Sequence, residues 1–194
     1  MERNNLPSLT DYLHWRFPTL HSKCYNKMAG RILHKLAWEY AKGNDNFEYN
    51  DVREYLKMKC PNAEEKNINN TATRIQLQFY QFKRWANKVD DISVAASRLA
   101  KIGDVYMFVK PDFITPKHVF EIKFYALHSP MPKKMAQCWE EGVIYAIAYP
   151  MPIYFIFITI DRYTTRKIKA SIDEIQRIKN QVEKFYLYEW RKDE

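Results

Sequence analysis

Apolar and polar positions alternate most clearly in the segment KIGDVYMFVKPDFITPKHVFEIKFY, residues 101–125. Two runs within it, 105–110 and 119–125, are rich in β-branched and aromatic residues, and prolines and an aspartate interrupt the pattern between them. Such runs on either side of a chain break are typical of two β-strands joined by a loop. The pattern therefore predicts a β-hairpin with 105–110 and 119–125 as its strands.

Three charged residues interrupt this otherwise apolar hairpin, and the register of the strands decides where they point. We place the centre of the turn between Phe113 and Ile114. Opposed residues share a face of a sheet, so Asp104 then faces Lys123, and Glu121 lies two residues away on the same face. A slip of one residue would place Asp104 among the apolar partners of the other face. The pattern thus predicts that Asp104, Glu121 and Lys123 lie together.

The remaining periodicity predicts a protein of the α/β class. Apolar residues recur every three or four positions in five segments, as in amphipathic helices, and form short continuous runs in two others, as in buried strands. The predicted helices are 23–42, 51–59, one from 67 or 71 to 85, 132–149 and one from 171, and the additional strands are 92–96 and 153–160. This order predicts a mixed sheet flanked by helices, with a helical extension at the N-terminus.

Polar residues 60–72 separate an N-terminal part from the rest of the chain. We place a domain boundary there, which gives a helical region 1–70 and a core 71–194. The predicted helices of the first region carry basic residues and are joined by short polar turns, which fits a helix-turn-helix module. A plain helical appendage fits the same pattern, so both interpretations stay open.

The composition narrows the class of protein. The net charge of +8 favours an acidic polymer such as DNA as a partner. The three cysteines are odd in number and far apart, which predicts a cytoplasmic protein without a disulfide framework. No apolar run approaches the roughly 18 residues that span a bilayer, and the first residues lack the pattern of a signal peptide. We therefore expect a protein that does not insert into membranes.

Two carboxylates and a lysine on one patch of a strand pair have two interpretations. The first is a salt bridge on the protein surface. The second is a site for Mg²⁺ or Mn²⁺ in phosphodiester cleavage, because hard cations bind carboxylate oxygens and a lysine can orient the attacking water. A Glu-x-Lys triplet alone is a weak signal, since a second one occurs at 64–66 in a polar stretch. The apolar strand around Glu121 favours the metal site.

With Asp104, Glu121 and Lys123, the sequence resembles the PD-(D/E)XK nuclease superfamily, in which an Asp at the start of one strand and a Glu-x-Lys on the next form the metal site. Pro111 and Asp112 spell the first letters of that name, but only eight residues separate Asp112 from Glu121. In the predicted register Asp112 lies at the tip of the hairpin, more than about 10 Å from Glu121 at about 3.3 Å per residue. We therefore favour Asp104 over Asp112 as the first metal ligand.

Residues 73–160 also resemble archaeal Holliday-junction resolvases, with agreement at Ser97 and at the glycine before Asp104. This resemblance implies a restriction-endonuclease-like fold, an Mg²⁺-dependent endonuclease and branched DNA as a substrate. The family also places a Glu on the helix before the first strand. No Glu occurs in the corresponding stretch here, where Gln76 or Gln78 stands nearest.

One polar line crosses the otherwise apolar helix after the hairpin. Gln137, Glu141 and Tyr145 lie at i, i+4 and i+8 and therefore share a face. In RecB-like nucleases a Gln and a Tyr on the corresponding helix approach the metal site and the DNA backbone, with a four-residue spacing that this chain does not keep. The resemblance implies a catalytic role for Gln137 ahead of Glu141 and Tyr145.

The sequence as a whole predicts an Mg²⁺- or Mn²⁺-dependent DNA endonuclease. Its aromatic end, FYLYEW, exceeds what one chain can bury, and resolvases of this kind act in pairs, so we expect a homodimer. The alternative is a DNA-binding protein with a helix-turn-helix-like N-terminus whose nuclease core no longer cuts. The residues predicted to contact DNA are Ser97, Arg98, Lys133, Lys134, Arg162, Arg166 and Lys167.

Overall fold

The structure, a computed structural model, describes residues 6–18, 24–125 and 132–190, without the side chains at 132 and 133. The helices are α1 (Leu9–Arg16), α2 (Cys24–Ala41), α3 (Tyr49–Lys59), α4 (Glu65–Ala86), α5 (Pro132–Ala148) and α6 (Ile172–Phe185). The strands are β1 (Ser93–Val94), β2 (Arg98–Ile102), β3 (Val105–Val109), β4 (Phe113–Ile114), β5 (Val119–Phe124), β6 (Ile153–Ile158) and β7 (Tyr163–Lys167). A short π-helical turn, Tyr186–Trp190, follows α6.

A five-stranded mixed sheet with the order β1-β4-β5-β6-β7 forms the centre of the fold. Strands β5 and β6 run parallel, with Glu121 level with Phe155 and Lys123 level with Phe157, whereas the other neighbours are antiparallel. Strands β2 and β3 form a separate antiparallel pair. Helices cover both faces of the sheet. The predicted fold class, a mixed sheet flanked by helices with further helices at the N-terminus, is confirmed.

The predicted pairing of 105–110 with 119–125 is wrong. Strand β3 pairs with β2, and β5 pairs with β4 in a register that places Phe113 opposite Phe120. The turn before β5 is therefore centred three residues later than predicted. The physical reason is the Thr115 hydroxyl, which accepts hydrogen bonds from the backbone N–H groups at 117 and 118 and closes a tight turn.

A second tight turn, at Gly103 and Asp104, joins β2 to β3. Gly103 has a φ of 65°, a left-handed conformation that a residue with a Cβ rarely adopts. A Cβ at this position would also collide with the side chain of Glu183. Oε1 of Glu183 accepts a hydrogen bond of 3.1 Å from the backbone N–H of Asp104. Asp104 is therefore held in a turn at the surface.

The central sheet separates two hydrophobic cores. Helices α2, α3 and α4 pack on one face, and α1, α5, α6 and the β2–β3 pair pack on the other. Side chains alternate between the faces of a strand, so β5 gives Phe120 and Ile122 to the first core and Val119 to the second. Each fully buried side chain of this size stabilises the fold by about 1.5–3 kcal/mol.

Helix α4 runs without interruption through the predicted boundary between residues 70 and 71. Its buried side chains extend from Ile68 to Ala86, and they belong to the same core as Ile122 and Ile156 of the sheet. Helices α2 and α3 of the first region thus share a core with α4 and the sheet, and α1 packs in the other core. A helix-turn-helix function for the first region stays a prediction.

The cysteines do not follow the expectation from the sequence. Cys24 and Cys60 form a disulfide that joins the start of α2 to the end of α3, and Cys138 is free and buried. The two cysteines are 36 residues apart, so no local sequence pattern indicates the pair. The packing of α2 against α3 brings the sulfurs together. Within the three described ranges, no helix combines the length and the apolar character that crossing a bilayer requires. Leu187 and Tyr188 in the π-helical turn are exposed, and self-association stays a prediction.

Candidate active site

Glu121 and Lys123 form the centre of a buried ion-pair network. They lie two residues apart on β5, so both side chains point to the face that α5 covers. Nζ of Lys123 lies 2.7 Å from Oε1 of Glu121 and 2.8 Å from Oε2 of Glu141, which α5 contributes. The Lys123 side chain is 24% exposed, and both glutamates are buried. The structure thus brings Glu121 and Lys123 together, as the sequence predicts.

Asp112 joins this group from the neighbouring strand. It directly precedes β4 and stands opposite Glu121 in the continued register of the pair. Its backbone N–H donates to Oε2 of Glu121 at 3.2 Å, and its own Oδ2 accepts from the N–H of Ile122 at 2.9 Å. The expectation that Asp112 lies at a hairpin tip, far from Glu121, is wrong because the turn closes further along the chain.

Asp104 lies apart from this group. Its side chain is 92% exposed in the turn between β2 and β3, and its carboxylate pairs with Lys101 at 3.3 Å. That strand pair is separate from the sheet that carries Glu121 and Lys123. The predicted register, in which Asp104 faces Lys123, is therefore wrong, and the aspartate that lies beside Glu121 is Asp112.

The polar line along α5 faces the same group. Oη of Tyr145 lies 3.2 Å from Oε2 of Glu121, 3.4 Å from Oε1 of Glu141 and 3.1 Å from the carbonyl oxygen of Lys110. One hydroxyl donates one hydrogen bond at a time, so these acceptors share it. Gln137 lines the cleft above, and Glu141 rather than Gln137 contacts Lys123. The four-residue spacing located the helix face that meets the site, where Glu141 and Tyr145 contact its charged residues. A catalytic role for Gln137 stays a prediction.

The glutamines of α4 do not stand in for the missing helix Glu. Gln76 is exposed, and Gln78 is buried against the opposite sheet face, where its side-chain amide donates to the carbonyl of Tyr125 at 2.8 Å. Glu141 of α5 supplies a third carboxylate instead, and it reaches the site from the other side of the sheet.

His34 is a site residue that the sequence did not indicate. It projects from α2, and its Nδ1 lies 3.1 Å from Oδ1 of Asp112. Its ring packs edge-on against Phe124 with 5.3 Å between ring centroids. The contact joins residues 78 positions apart. Only the helical periodicity around His34, which places it away from the buried side of α2, was visible in the sequence.

Burial and crowding shift the acid–base behaviour of the site. Burial raises the pKa of Glu121 well above its ordinary value, and the carboxylates of Asp112 and Glu141 raise it further. Burial also acts to raise the pKa of Asp112, but His34 and Lys123 outweigh it and the pKa is lowered. Burial opposes the charge of Lys123, but Glu121 and Glu141 hold its pKa well above the usual value. Three carboxyl groups therefore crowd around one permanently charged ammonium.

A cleft of about 340 Å³ opens above these residues. Helix α1 forms one wall, because Tyr12 donates a 3.0 Å hydrogen bond to Oε2 of Glu140 on α5, and the N–H of Phe108 donates to the carbonyl of Pro7 at 2.9 Å. Glu121, Lys123, Glu141 and Tyr145 line the cleft, whereas Asp112 does not, and the other lining residues include Ser8, Leu13, His14, Ser97, Phe108, Lys110 and Gln137.

The other predicted DNA contacts fall into two places. The guanidinium of Arg98, next to Ser97 of the cleft, lies 5.3 Å from the ring centroid of Tyr149, and Nζ of Lys134 lies 5.6 Å from that of Tyr125. The side chain of Lys133 lies outside the described residues. The remaining predicted contacts are exposed on or beside β7, at the edge of the sheet and separated from β5 by β6; they are Arg162, Arg166 and Lys167.

The donors around Lys123 are of the kind that a hard divalent cation prefers, namely carboxylate oxygens. Oε2 of Glu141 is buried and pairs with Nζ of Lys123 at 2.8 Å, but it accepts no well-directed hydrogen bond from a residue that the structure describes. In the described part of the chain, no group of three or more His, Cys, Asp and Glu side chains is arranged as a ready set of metal ligands. Lys123 contacts both Glu121 and Glu141, so its ammonium holds their oxygens in this arrangement. The residues fit a magnesium-like ion by the chemistry of their donors.

Comparison with known proteins finds weak backbone similarity to solved structures over most of the chain. No protein-family model matches the sequence, and no curated protein matches it. The crystal structure of SSO0001 has a TM-score of 0.43 and 16% identity over 82% of this chain and 86% of that one. A phage-related exonuclease from Haemophilus somnus 129PT has a TM-score of 0.42 and 14% identity over 94% of both chains. Both scores lie below 0.5, so the assignment of the site stands on its own geometry.

Proposed function

We propose that the protein is a metal-dependent nuclease that hydrolyses phosphodiester bonds in DNA. The observation that supports this best is that Asp112 and Glu121 lie opposite each other on neighbouring strands. The backbone N–H of Asp112 donates to the Glu121 carboxylate at 3.2 Å, and the Lys123 ammonium lies 2.7 Å from the same carboxylate. An Asp at the start of one strand and a Glu-x-Lys on the next is the pattern of PD-(D/E)XK nucleases. Asp112 replaces Asp104 in that pattern.

In this proposal each residue has a separate role. Asp112 and Glu121 would hold Mg²⁺ or Mn²⁺, with Glu141 as a third carboxylate beside them. When bound there, the ion would supply an activated water and polarise the phosphate. Lys123 orients the attacking water by a hydrogen bond and offsets the negative charge that develops on the phosphate oxygens. Tyr145 keeps the carboxylates of Glu121 and Glu141 in place through its hydroxyl.

A cleavage assay tests this proposal. Wild-type protein is incubated with a labelled four-way junction, linear duplex and single-stranded DNA in Mg²⁺, in Mn²⁺ and in EDTA. We expect cleavage in at least one divalent metal and none in EDTA. Glu121→Gln removes a charged ligand with little change in size, and it should abolish cleavage. Glu54→Gln, an exposed glutamate of α3, is the matched control and should cut as the wild type does.

The alternative is a DNA-binding protein that does not cut. The absence of a ready three-ligand group from the described residues favours it. It predicts salt-dependent binding of DNA without cleavage of any of the three substrates in either metal. That result, with Glu121→Gln binding DNA as tightly as the wild type, would replace the nuclease proposal.

A further inference from the structure

One side of α2 carries a set of basic and aromatic residues, of which the three cations are exposed and His34 and Trp38 are partly buried. At about 100° of rotation per residue, Lys27, Arg31, His34, Lys35 and Trp38 fall within an arc of about 100°. The buried residues of α2 lie on the opposite side of the helix. We call these five residues the outer face of α2. Its three cations follow one another at four-residue steps, about 6 Å apart along the helix axis.

This outer face begins beside the candidate active site. His34 contacts the carboxylate of Asp112 at 3.1 Å, as described above. The ammonium of Lys110, which lines the cleft, lies 5.0 Å from the ring centroid of Trp38. The indole N–H of Trp38 is buried and donates no hydrogen bond to a residue that the structure describes. One contact therefore connects the outer face of α2 to the buried Asp112, and the other connects it to Lys110 at the edge of the cleft.

The three cations of the outer face are available to a ligand. Lys27, Arg31 and Lys35 are exposed, and none of them forms an ion pair with a residue that the structure describes. Many other surface cations are already paired, as Lys57 is with Glu65 at 3.0 Å. Exposed cations in a row attract the phosphates of a nucleic acid, because their contacts release the counterions of the polymer.

The dimensions of the cleft decide which form of nucleic acid reaches the site. Its volume of about 340 Å³ is near the lower end of the roughly 300–1,000 Å³ typical of small-molecule pockets. Glu121 at its base is only 5% exposed, and α1 forms a wall beside it. An unpaired strand can reach into a recess of this size, whereas a base-paired duplex would have to lie across its opening. We therefore expect the strand that enters to be unpaired where it is cut.

We propose that the outer face of α2, together with Lys110, guides an unpaired nucleic-acid strand into the cleft. This inference rests on the proposed nuclease function, because the direction of the strand, from α2 into the cleft, assumes that it is cut there. The phosphates of the strand contact Lys27, Arg31 and Lys35 in turn. Lys110, held over Trp38, contacts the phosphate next to the cleft.

The test measures binding without cleavage. Affinity for a fluorescein-labelled single-stranded oligonucleotide is measured by fluorescence anisotropy in EDTA across a series of salt concentrations. One variant carries Lys27→Gln, Arg31→Gln and Lys35→Gln. The control variant carries Lys117→Gln, Lys179→Gln and Lys184→Gln, which removes the same charge from the β4–β5 turn and from α6. Unfolding temperatures of both variants confirm that they are folded.

The α2 variant should bind at least about tenfold more weakly at low salt. The slope of log affinity against log salt should fall by about 2, because each contact with a single strand contributes about 0.7. The control variant should match the wild type. Equal loss in the two variants, or no loss in the α2 variant, would overturn the inference, as would binding of duplex as tight as that of single strands.

This result is separate from the outcome of the cleavage assay. If the wild type never cuts DNA but the α2 variant alone loses affinity, the nuclease proposal fails and the guiding surface stands. If the wild type cuts DNA and both variants bind equally well, only the guiding surface fails.

Discussion

On one face of β5, Phe120 and Ile122 pack among the aromatic side chains of α4, and on the other, Glu121 and Lys123 lie beneath α5. Ile122 is fully buried and Glu121 is 5% exposed, so the two faces are nearly equally deep. Burial of an isoleucine stabilises the fold, whereas burial of a carboxylate opposes folding unless the charge is compensated. One strand thus carries an apolar face that stabilises the fold and a charged face that belongs to the proposed metal site. We call the face of Glu121 and Lys123 the reactive face and that of Phe120 and Ile122 the stabilising face.

The reactive face is compensated only in part. Glu121 has Lys123, the N–H of Asp112 and the hydroxyl of Tyr145 as partners, yet its pKa is still raised well above the ordinary value. A buried ion pair is often no more stable than neutral groups of the same shape. The apolar face therefore contributes more to the stability of the fold than the charged face, which carries the residues of the proposed metal site.

The largest expected effect tests which aspartate, Asp112 or Asp104, acts together with Glu121 and Lys123. Asp112→Asn keeps the shape of the side chain but removes a charge next to Glu121. We expect cleavage of DNA to fall by a factor on the order of 10³ or more, because several kcal/mol of metal-dependent stabilisation is lost and each 1.36 kcal/mol is tenfold. Initial rates in Mg²⁺ and Mn²⁺ measure this effect.

The matched control is Asp104→Asn in the exposed turn. Its exposed carboxylate pairs with Lys101 at the surface, away from Glu121 and Lys123, so cleavage should be unchanged. Equal loss of activity in the two variants would contradict the assignment of Asp112, and loss in Asp104→Asn alone would reverse it.

The next effect tests the stabilising face. Ile122→Ala leaves a cavity between the sheet and α4, and it should lower the free energy of unfolding by about 2–5 kcal/mol. For a chain of this length each kcal/mol lowers Tm by about 2–4 °C. Thermal unfolding followed by circular dichroism measures it. Cleavage well below Tm should be retained, so a variant that stays folded but no longer cuts would break the division between the faces.

The sequence predicts which residues share a face of β5, but it does not predict which strand pairs with β5. The alternation around Glu121 and Lys123 is local, so it is readable, and it places both on one side of β5. Strand β4 has only two residues, too few to produce a periodic pattern, and Asp112 precedes it. The long apolar strand β3 therefore seemed the natural partner of β5.

Contacts between distant segments were the least predictable. His34 meets Asp112 across 78 residues and Glu141 meets Lys123 across 18, and neither contact follows from spacing. The helix face that carries Glu141 was predicted, because i, i+4 neighbours share a face of any helix. The depth to which each residue enters the site depends on how α5 packs on the sheet, which no local pattern contains.

A smaller effect concerns the stability of the reactive face itself. Glu121→Gln removes one of three crowded carboxylates and keeps the size of the side chain. We expect the metal-free variant to be more stable than the wild type at neutral pH by on the order of 1 kcal/mol, because ionising a carboxyl group whose folded pKa is raised opposes folding and Lys123 keeps Glu141 as a partner. Chemical denaturation in EDTA measures the difference. A variant less stable than the wild type would show that the pair with Lys123 outweighs the crowding.

The smallest effect is the pH dependence of that difference. A carboxyl group whose folded pKa lies above the unfolded value of about 4.5 stabilises the protein below that value, and the contribution is lost as the pH rises through the folded pKa. The wild type should therefore lose stability relative to Glu121→Gln as the pH rises from about 5 to 8. The lowered pKa of Asp112 acts below this window, because it stabilises the fold above pH 3.8 and the contribution is lost only on acidification. Tm values of both proteins in EDTA at several pH values measure the gap, which Mg²⁺ should narrow by binding the wild type alone. A gap that stays constant over this range would mean that Glu121 is already ionised at the acidic end and that the reactive face is fully compensated by Lys123.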